Sequence, residues 1–331
     1  MSTPAIPGAI NVGSLVGDEI VSIGVVGPRS AQTTTGAIAA LGFAFGNAYF
    51  VNETTGSDAN PGSRSEPFAT LTAALAACTD NQGDVVYLEG TAHVTATVNW
   101  NKNGVSLVGI NAPSQNSRAR ISSSGATVFT PMVNVTANGC AFIGIGTFYG
   151  YVDASTQICW AEAGGRNFYS NVLFGGGGNA TAAAQAGMRS LTISGDGENV
   201  FADCTFGLDT VARATNANAT LEFLGGTQRN KFIRPIFQMF SSLATNVHVK
   251  AAAGSVDRSQ YMFDPIFSNA VDSTATGLNA DVLWDAAAGG NLIMSGNGIS
   301  VGATAIAVAG PVYVNGAVPV ATTSNIGIKA T

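Results

Sequence analysis

NVFADCTF (Asn199–Phe206) and NKFIRPIF (Asn230–Phe237) are two versions of one eight-residue pattern, and they begin 31 residues apart. Asn comes first, and apolar residues occupy the third, sixth and eighth positions. Five more octets fit this pattern to varying degrees: NGVSLVGI (Asn103–Ile110), NGCAFIGI (Asn138–Ile145), NFYSNVLF (Asn167–Phe174), QYMFDPIF (Gln260–Phe267) and NLIMSGNG (Asn291–Gly298). The last residues of successive octets lie 29 to 35 residues apart. Such a fixed period indicates a repeat architecture.

The columns of the aligned octets predict a solenoid of β-strands in which each repeat forms one coil. Residues at the third position suit a core: Val105, Cys140, Tyr169, Phe201, Phe232, Met262 and Ile293. The eighth position gathers Phe174, Phe206, Phe237 and Phe267, whose rings would stack at the strand spacing of about 4.8 Å. The Asn residues at the first position predict a ladder of side-chain amides. β-Branched and aromatic residues favour strands over a helical repeat.

A bend between two short strands is expected at the fifth position of each octet, where a polar residue interrupts the alternation of apolar residues. Asn and Asp tolerate the left-handed backbone that such a bend needs. In the four strongest octets this column holds Asn171, Asp203, Arg234 and Asp264.

The stretch from Tyr49 to Val94 predicts a strand at Tyr49–Asn52, a loop, a helix at about Ala69–Cys78 and a strand at Val85–Leu88. It resembles the opening of the pectin-lyase-like right-handed β-helix superfamily, which includes virion structural proteins of bacteriophages. The matching residues are Tyr49, Val51, Gly56, Ser57, Asp58, Gly62, Pro67, Phe68, Thr70, Leu71, Ala74, Gly83, Asp84, Val86, Gly90 and His93. The resemblance runs to about Gly298 and implies that the helix caps the open end of the solenoid.

The two ends of the chain differ from the repeats. Residues 1–46 contain a pattern that resembles an attachment module found at the N-termini of bacteriophage virion proteins, carried by Gly17, Glu19, Ile20, Val21, Gly27, Pro28, Gln32, Thr33, Thr34, Ile38 and Ala39. An extra strand pair and helix packed on the solenoid is the alternative. Residues 299–331 form an apolar tail in which Asn315-Gly316 predicts a hairpin, and the tail would serve as a cap or in oligomerisation.

We therefore expect an all-β chain: a right-handed parallel β-helix of about seven coils over residues 47–298. An N-terminal capping helix, the small attachment module and a short C-terminal β tail complete this fold class.

The composition of the chain argues against several classes of function. Only 10% of the 331 residues are charged and the net charge is −6, which argues against nucleic-acid binding. The N-terminus lacks the features of a signal peptide, and the most apolar run, Gly36–Val51, is too short for a membrane span. Metal-ligand spacing is missing among the four cysteines, Cys78, Cys140, Cys159 and Cys204, so neither a metal nor another cofactor is expected.

A catalytic site would need paired carboxylates, and the densest acidic cluster is Asp196, Glu198, Asp203 and Asp209. Asp203 and Asp264 also share a column two coils apart, at roughly 9.6 Å. Arg234 lies between them, and an Asp–Arg–Asp ladder neutralises itself and lowers carboxylate pKa values, which disfavours a general acid. We expect a structural ladder here. The histidines, His93 and His248, are expected to be structural, and the tryptophans, Trp100, Trp160 and Trp284, to lie in the core or an interface.

The sequence thus favours a bacteriophage virion structural protein without catalytic activity. We expect a homotrimer that decorates the capsid, bound to the major capsid protein or another virion component and assembled in the host cytoplasm. The alternative is a tailspike or tail fibre that binds or depolymerises a surface polysaccharide through the Asp196–Asp209 region.

Overall fold

The protein is a right-handed parallel β-helix in the computed structural model, which describes residues 46–111, 114, 117–123, 128–214, 218–270, 277–307 and 311–315. Its strands, numbered in chain order, form three sheets in which every pairing is parallel. Sheet A contains β1 (Ala48–Val51), β2 (Val85–Leu88), β5 (Ser106–Gly109), β8 (Ala141–Ile143), β11 (Phe168–Ser170), β14 (Val200–Ala202), β17 (Lys231–Ile233), β20 (Gln260–Phe263), β23 (Leu292–Ser295) and β26 (Val312–Val314).

Sheets B and C complete each coil, so the chain passes from sheet A to sheet B, then to sheet C and back to A. Sheet B contains β3 (Thr91–Val94), β6 (Arg120–Ser123), β9 (Gly146–Tyr149), β12 (Leu173–Gly176), β15 (Thr205–Phe206), β18 (Ile236–Met239), β21 (Ile266–Asn269) and β24 (Ile299–Val301). Sheet C contains β4 (Val98–Trp100), β7 (Val133–Val135), β10 (Ile158–Glu162), β13 (Arg189–Ile193), β16 (Ala219–Phe223), β19 (Val247–Ala251), β22 (Leu278–Trp284) and β25 (Ala303–Ala307).

The seven octets supply seven successive strands of sheet A, from β5 to β23. In the four middle octets the third-position column is confirmed, because Tyr169, Phe201, Phe232 and Met262 are paired in register. The outer octets are shifted: Phe142 rather than Cys140 pairs with Tyr169, and Met294 rather than Ile293 pairs with Met262. The cause is the left-handed bend residue, which moves from the fifth position to Gly144 in the second octet and to Gly296 in the last.

Aromatic rings fill the interior in two stacks. In sheet B, the ring centroids of Phe174 and Phe206 are 5.1 Å apart, those of Phe206 and Phe237 4.7 Å, and those of Phe237 and Phe267 5.2 Å. The phenylalanine column predicted from the octets is therefore confirmed. A second stack in sheet A joins Phe142, Tyr169, Phe201 and Phe232. The three tryptophans also lie in the core.

A buried amide ladder runs along the turn that precedes sheet A, as the Asn column predicts. The side-chain oxygen of Asn199 accepts from the backbone N–H of Asn167 at 2.9 Å, and that of Asn230 accepts from the backbone N–H of Asn199 at 3.1 Å. Gln260 continues the ladder by accepting from Asn230 at 3.0 Å. The ladder satisfies backbone donors where each coil turns, which an apolar side chain could not do.

Helix α1 (Leu71–Ala77) contacts β1, β2 and β4 and buries Leu71, Ala74 and Leu75. It is about three residues shorter than the predicted range. The helix begins after Thr70, whose hydroxyl accepts from the backbone N–H of Ala73, as a good N-cap does. A second short helix, α2 (Ala180–Ala183), lies between β12 and β13. Within the described ranges, neither helix has the length and apolar character of a membrane span.

At the C-terminal end the parallel ladders continue past Gly298, since β24, β25 and β26 each pair with the preceding coil. The second half of the expected hairpin, and the attachment module expected within residues 1–46, lie outside the described residues apart from Gly46 itself.

Candidate functional site

Two columns of residues with left-handed backbone flank sheet A on the outside of the β-helix. The first column, at the turn from sheet C to sheet A, contains Arg166, Glu198 and Arg229 with φ values of 56°, 58° and 49°. The second column is the predicted bend from sheet A to sheet B, formed by Asn171, Asp203, Arg234 and Asp264 with φ values of 52°, 55°, 49° and 50°. Because a bend of this kind repeats in each coil, side chains at the same bend stack one above another.

Glu198 lies between two arginines in the first column. Its carboxylate oxygens accept from Nε of Arg166 at 2.9 Å and contact Nη2 of Arg229 at 3.0 Å. The hydrogen bond from Arg229 is the main reason why the pKa of Glu198 is lowered from its ordinary value. Asp196 lies at the edge of this group, with its carboxylate 4.0 Å from Nη1 of Arg166. Glu198 is therefore held as an anion beside two cations, the opposite of what a general acid requires.

Asp203 is paired with Arg234 in the second column. Both carboxylate oxygens accept hydrogen bonds from the guanidinium at 2.7 Å, and this contact raises the pKa of Arg234. Asp264 takes a different partner, the backbone N–H of Asn297 at 2.7 Å. The ladder expected from the sequence thus has one direct Asp–Arg pair, while Asp264 acts on Arg234 only through its charge.

Asp196 and Glu198 share Arg166, but Asp203 is not brought to them. Glu198 and Asp203 lie at opposite ends of β14, five residues apart, which corresponds to roughly 16 Å of extended strand. Paired catalytic carboxylates are separated by about 5–9.5 Å. Asp209 lies beyond the end of β15, where it lines a cleft on the outer face of sheet B.

This sheet B cleft, lined by Arg120, Thr147, Phe148, Leu173, Leu208, Asp209, Thr210 and Gln238, has a volume of about 320 Å³. Two glycines allow the coils to pack closely beside it. Gly175 pairs with Phe148 across the ladder, and a Cβ there would lie 2.4 Å from the carbonyl oxygen of Thr147. A Cβ at Gly207, on the next coil, would lie 2.2 Å from the carbonyl oxygen of Gln238. Neither position can carry a side chain unless the neighbouring backbone moves.

Inside the β-helix, Glu162 is a buried carboxyl that the sequence analysis did not single out. It accepts hydrogen bonds from the hydroxyl of Tyr169 and, at 3.0 Å, from the side-chain amide of Asn167. Burial raises the pKa of Glu162 to about 7. Glu162 occupies a column of sheet C in which Ile193, Phe223 and Trp284 point inward, and the octet pattern does not reach this sheet.

His248 and Asp281 form a second buried polar group, at neighbouring positions of β19 and β22. Nε2 of His248 lies 3.7 Å from Oδ1 of Asp281, whose other oxygen accepts from the hydroxyl of Ser300 at 2.5 Å. Burial lowers the pKa of His248 to about 3 and raises that of Asp281 to about 8, so both groups are uncharged at neutral pH. The other histidine, His93, is exposed on β3 and contacts Glu53 at 2.7 Å.

The described residues contain no group of three His, Cys, Asp or Glu side chains arranged to hold a metal ion. All four cysteines are free and buried, and burial raises each thiol pKa to about 12. At neutral pH these thiols are protonated and are therefore weak nucleophiles.

Comparison with known proteins gives matches in structure only. No protein-family model and no curated protein sequence matches the chain. A crystal structure of the pectate lyase Pel9A is similar over 84% of this chain and 79% of its own, with 15% identity and a TM-score of 0.56. A pectin methylesterase in complex with a hexasaccharide is similar over 87% of this chain and 94% of its own, with 14% identity and a TM-score of 0.53. The pectin methylesterase from Aspergillus niger is similar over 87% of this chain and 91% of its own, with 12% identity and a TM-score of 0.51. At these identities the likeness establishes the β-helix fold alone.

Proposed function

We propose that this protein is a structural component of a bacteriophage virion, a trimeric protein that decorates the capsid without catalytic activity. The pairing of the candidate acids carries the proposal. Glu198 and Asp203 are bound to arginines on the outside of the β-helix, where they join one coil to the next. Side chains committed in this way link neighbouring coils, and they are poorly suited to proton transfer.

The low charge of the chain supports the same role. Only 10% of the residues are charged, so the chain has few charged side chains for its surface. Such a surface suits permanent contact with a protein lattice, and a closed trimer fits a three-fold position of a capsid symmetrically. Residues 1–46 would provide the attachment.

Deletion of residues 1–46 tests this function. The truncated protein should keep its β-rich circular dichroism spectrum and cooperative melting, because the described coils begin after this segment, yet it should no longer sediment with capsids that the intact protein decorates. Binding of the truncated protein to capsids, or localisation of the intact protein to the tail tip alone, would overturn the assignment.

The second candidate is a β-helix that binds or cleaves polysaccharide, as the names of the structurally similar lyase and esterases suggest. Incubation with capsular and pectic polysaccharides tests it by chain length and reducing ends. Depolymerisation that Asp203→Asn abolishes, while the matched surface variant Asp257→Asn leaves it intact, would establish the enzyme and refute the structural role. We expect no cleavage by either variant or by the unmodified protein.

A further inference from the structure

The sheet B cleft contains two charged side chains of opposite sign that have no partner in the part of the chain that the structure describes. Among the described residues, Arg120 is the one arginine, and Asp209 the one aspartate, whose side chain makes no hydrogen bond or ion pair. Elsewhere in the described chain, arginines and aspartates are bound to one another, to backbone groups or to polar side chains. Both exceptions line the same depression, and they do not pair with each other.

The guanidinium of Arg120 is half-buried and has no counter-charge among the described residues, so it can bind an anion without breaking an existing contact. The same holds less strongly for Asp209, which is exposed at the rim of the cleft. A ligand that matched both groups would place an anion at Arg120 and a cationic donor at Asp209. Charge complementarity therefore selects a zwitterion over a simple anion or cation.

The walls of the cleft favour a ring as the body of this ligand. Phe148 is half-buried in the lining of the cleft, and an aromatic ring of this kind packs against the C–H face of a sugar. Thr210 adds an exposed hydroxyl to the lining, which can contact a sugar hydroxyl. The volume of about 320 Å³ is at the lower end of the range for small-molecule sites, roughly 300–1,000 Å³, and suits a monosaccharide unit rather than a long segment.

From these features we infer that the sheet B cleft binds an amino sugar that also carries an anionic group. The anionic group lies at Arg120, and the ammonium group on the sugar ring lies at Asp209. The anion can be a phosphate or a carboxylate, because a guanidinium binds both in the same geometry. This inference is independent of the proposed virion role, since it concerns a face of the β-helix away from residues 1–46 in sequence and from the ion-paired columns.

Calorimetric titration of the full chain with glucosamine 6-phosphate and with muramic acid tests the inference. At least one of the two should bind saturably, and the tighter of them identifies the anion. If glucosamine 6-phosphate binds, its affinity should exceed those of glucose 6-phosphate, N-acetylglucosamine 6-phosphate and glucosamine by about tenfold each, because each lacks one charge. If muramic acid binds, the comparison uses N-acetylmuramic acid and glucosamine. Absence of saturable binding, or equal binding of the charge-deficient sugars, would overturn the proposal.

Variants assign the two charges separately. Arg120→Gln should remove the preference for the anionic sugar, and Asp209→Asn should remove the preference for a free ammonium over its N-acetylated form. Arg258→Gln and Asp257→Asn make the same chemical changes in an exposed pair outside the cleft and should bind like the unmodified protein. If Arg120→Gln or Asp209→Asn also binds like the unmodified protein, the site is wrongly placed.

A third variant guards against loss of folding. Thr210 is exposed at the rim, so Thr210→Trp should fold with an unchanged melting temperature while its indole fills the cleft and abolishes binding. Retained binding in this folded variant would contradict the inference.

Glycylglycine, a zwitterion without a ring, tests whether the cleft recognises a sugar. It should bind at least about tenfold more weakly than the better sugar, and equal binding would refute a sugar site.

Discussion

Phe206 lies at the centre of the sheet B stack, fully buried between Phe174 and Phe237. Replacing it with alanine removes a ring that both neighbours contact and leaves a cavity in a rigid interior. We expect Phe206→Ala to lower the free energy of unfolding by about 3–5 kcal/mol, measured by chemical denaturation. Phe206→Leu is the control and should cost clearly less. A loss below about 1 kcal/mol for the alanine variant would show that the stack is not a rigid core.

Asp281 should make the protein less stable as the pH rises. Its pKa in the folded chain is about 8, above the unfolded value near 3.9, so its contribution is full below the unfolded value and is lost as the pH rises through 8. His248, with a folded pKa of about 3, has the opposite effect and destabilises the fold as the pH falls below about 6.5. Glu162, with a folded pKa of about 7, acts in the same direction as Asp281 up to that pH.

The variant Asp281→Asn isolates this effect. Between pH 7 and 9 the melting temperature of the unmodified protein should fall, and that of Asp281→Asn should fall less, because the amide does not ionise. His248→Asn is the companion variant: it removes the contribution that opposes Asp281 and Glu162, so its melting temperature should fall more steeply than that of the unmodified protein as the pH rises from 4 to 6.5. Parallel profiles for all three proteins would mean that these side chains reach water in the folded state.

The sequence predicted residues of the repeat better than residues between repeats. The column of Phe174, Phe206, Phe237 and Phe267 repeats every coil, so its inward direction could be inferred without a structure. Glu162 and Asp281 each occur once among apolar neighbours, and the octet search did not extend to sheet C. The cleft could not be predicted either, since its lining comes from β6, β9, β12, β18 and the segment after β15, which become neighbours only in the folded β-helix.

Among the structural elements, the amide ladder should be the part of each turn that tolerates substitution least. Asn230 accepts hydrogen bonds from both the backbone N–H and the side-chain amide of Asn199. Asn230→Ala leaves these buried donors without an acceptor and should cost about 2–4 kcal/mol in chemical denaturation. Gln260→Asn keeps an amide in the same column and should cost less. If the two variants lose equal stability, side-chain volume rather than hydrogen bonding determines the turn.

The outer octets show the limit of prediction at this scale. Gly104 and Gly139 have φ values of 67° and 69°, and Gly144 has 63°, so the second octet bends two residues later than the middle ones. A search that fixes the first Asn cannot detect this shift, because Gly permits left-handed backbone wherever it occurs. The register of β8 is therefore set by glycine positions that the octet pattern leaves free.

At the scale of the whole molecule, we expect three chains to associate. The outer face of sheet C includes an apolar groove lined by Ala244, Thr245, Val247, Asn279, Ala280, Val282 and Leu283, and Leu283 is 40% exposed. Light scattering at micromolar concentration should give three times the mass of the 33.4 kDa chain. Leu283→Lys should shift the mass toward the monomer if this groove takes part, whereas Leu224→Lys, at a similarly exposed position, is the control. A monomer for the unmodified protein would contradict the trimer.

The equivalence of successive coils has a consequence for how such a chain can change over evolutionary time. β14, β15 and β16 form one turn between Glu198 and Arg229, and they meet the turns before and after them in the same register. A deletion or duplication that spans one whole turn brings compatible strands together, while one that spans part of a turn reverses which side chains face inward. The gene can therefore lengthen or shorten the β-helix in steps of about 31 residues, because each added turn extends the same core.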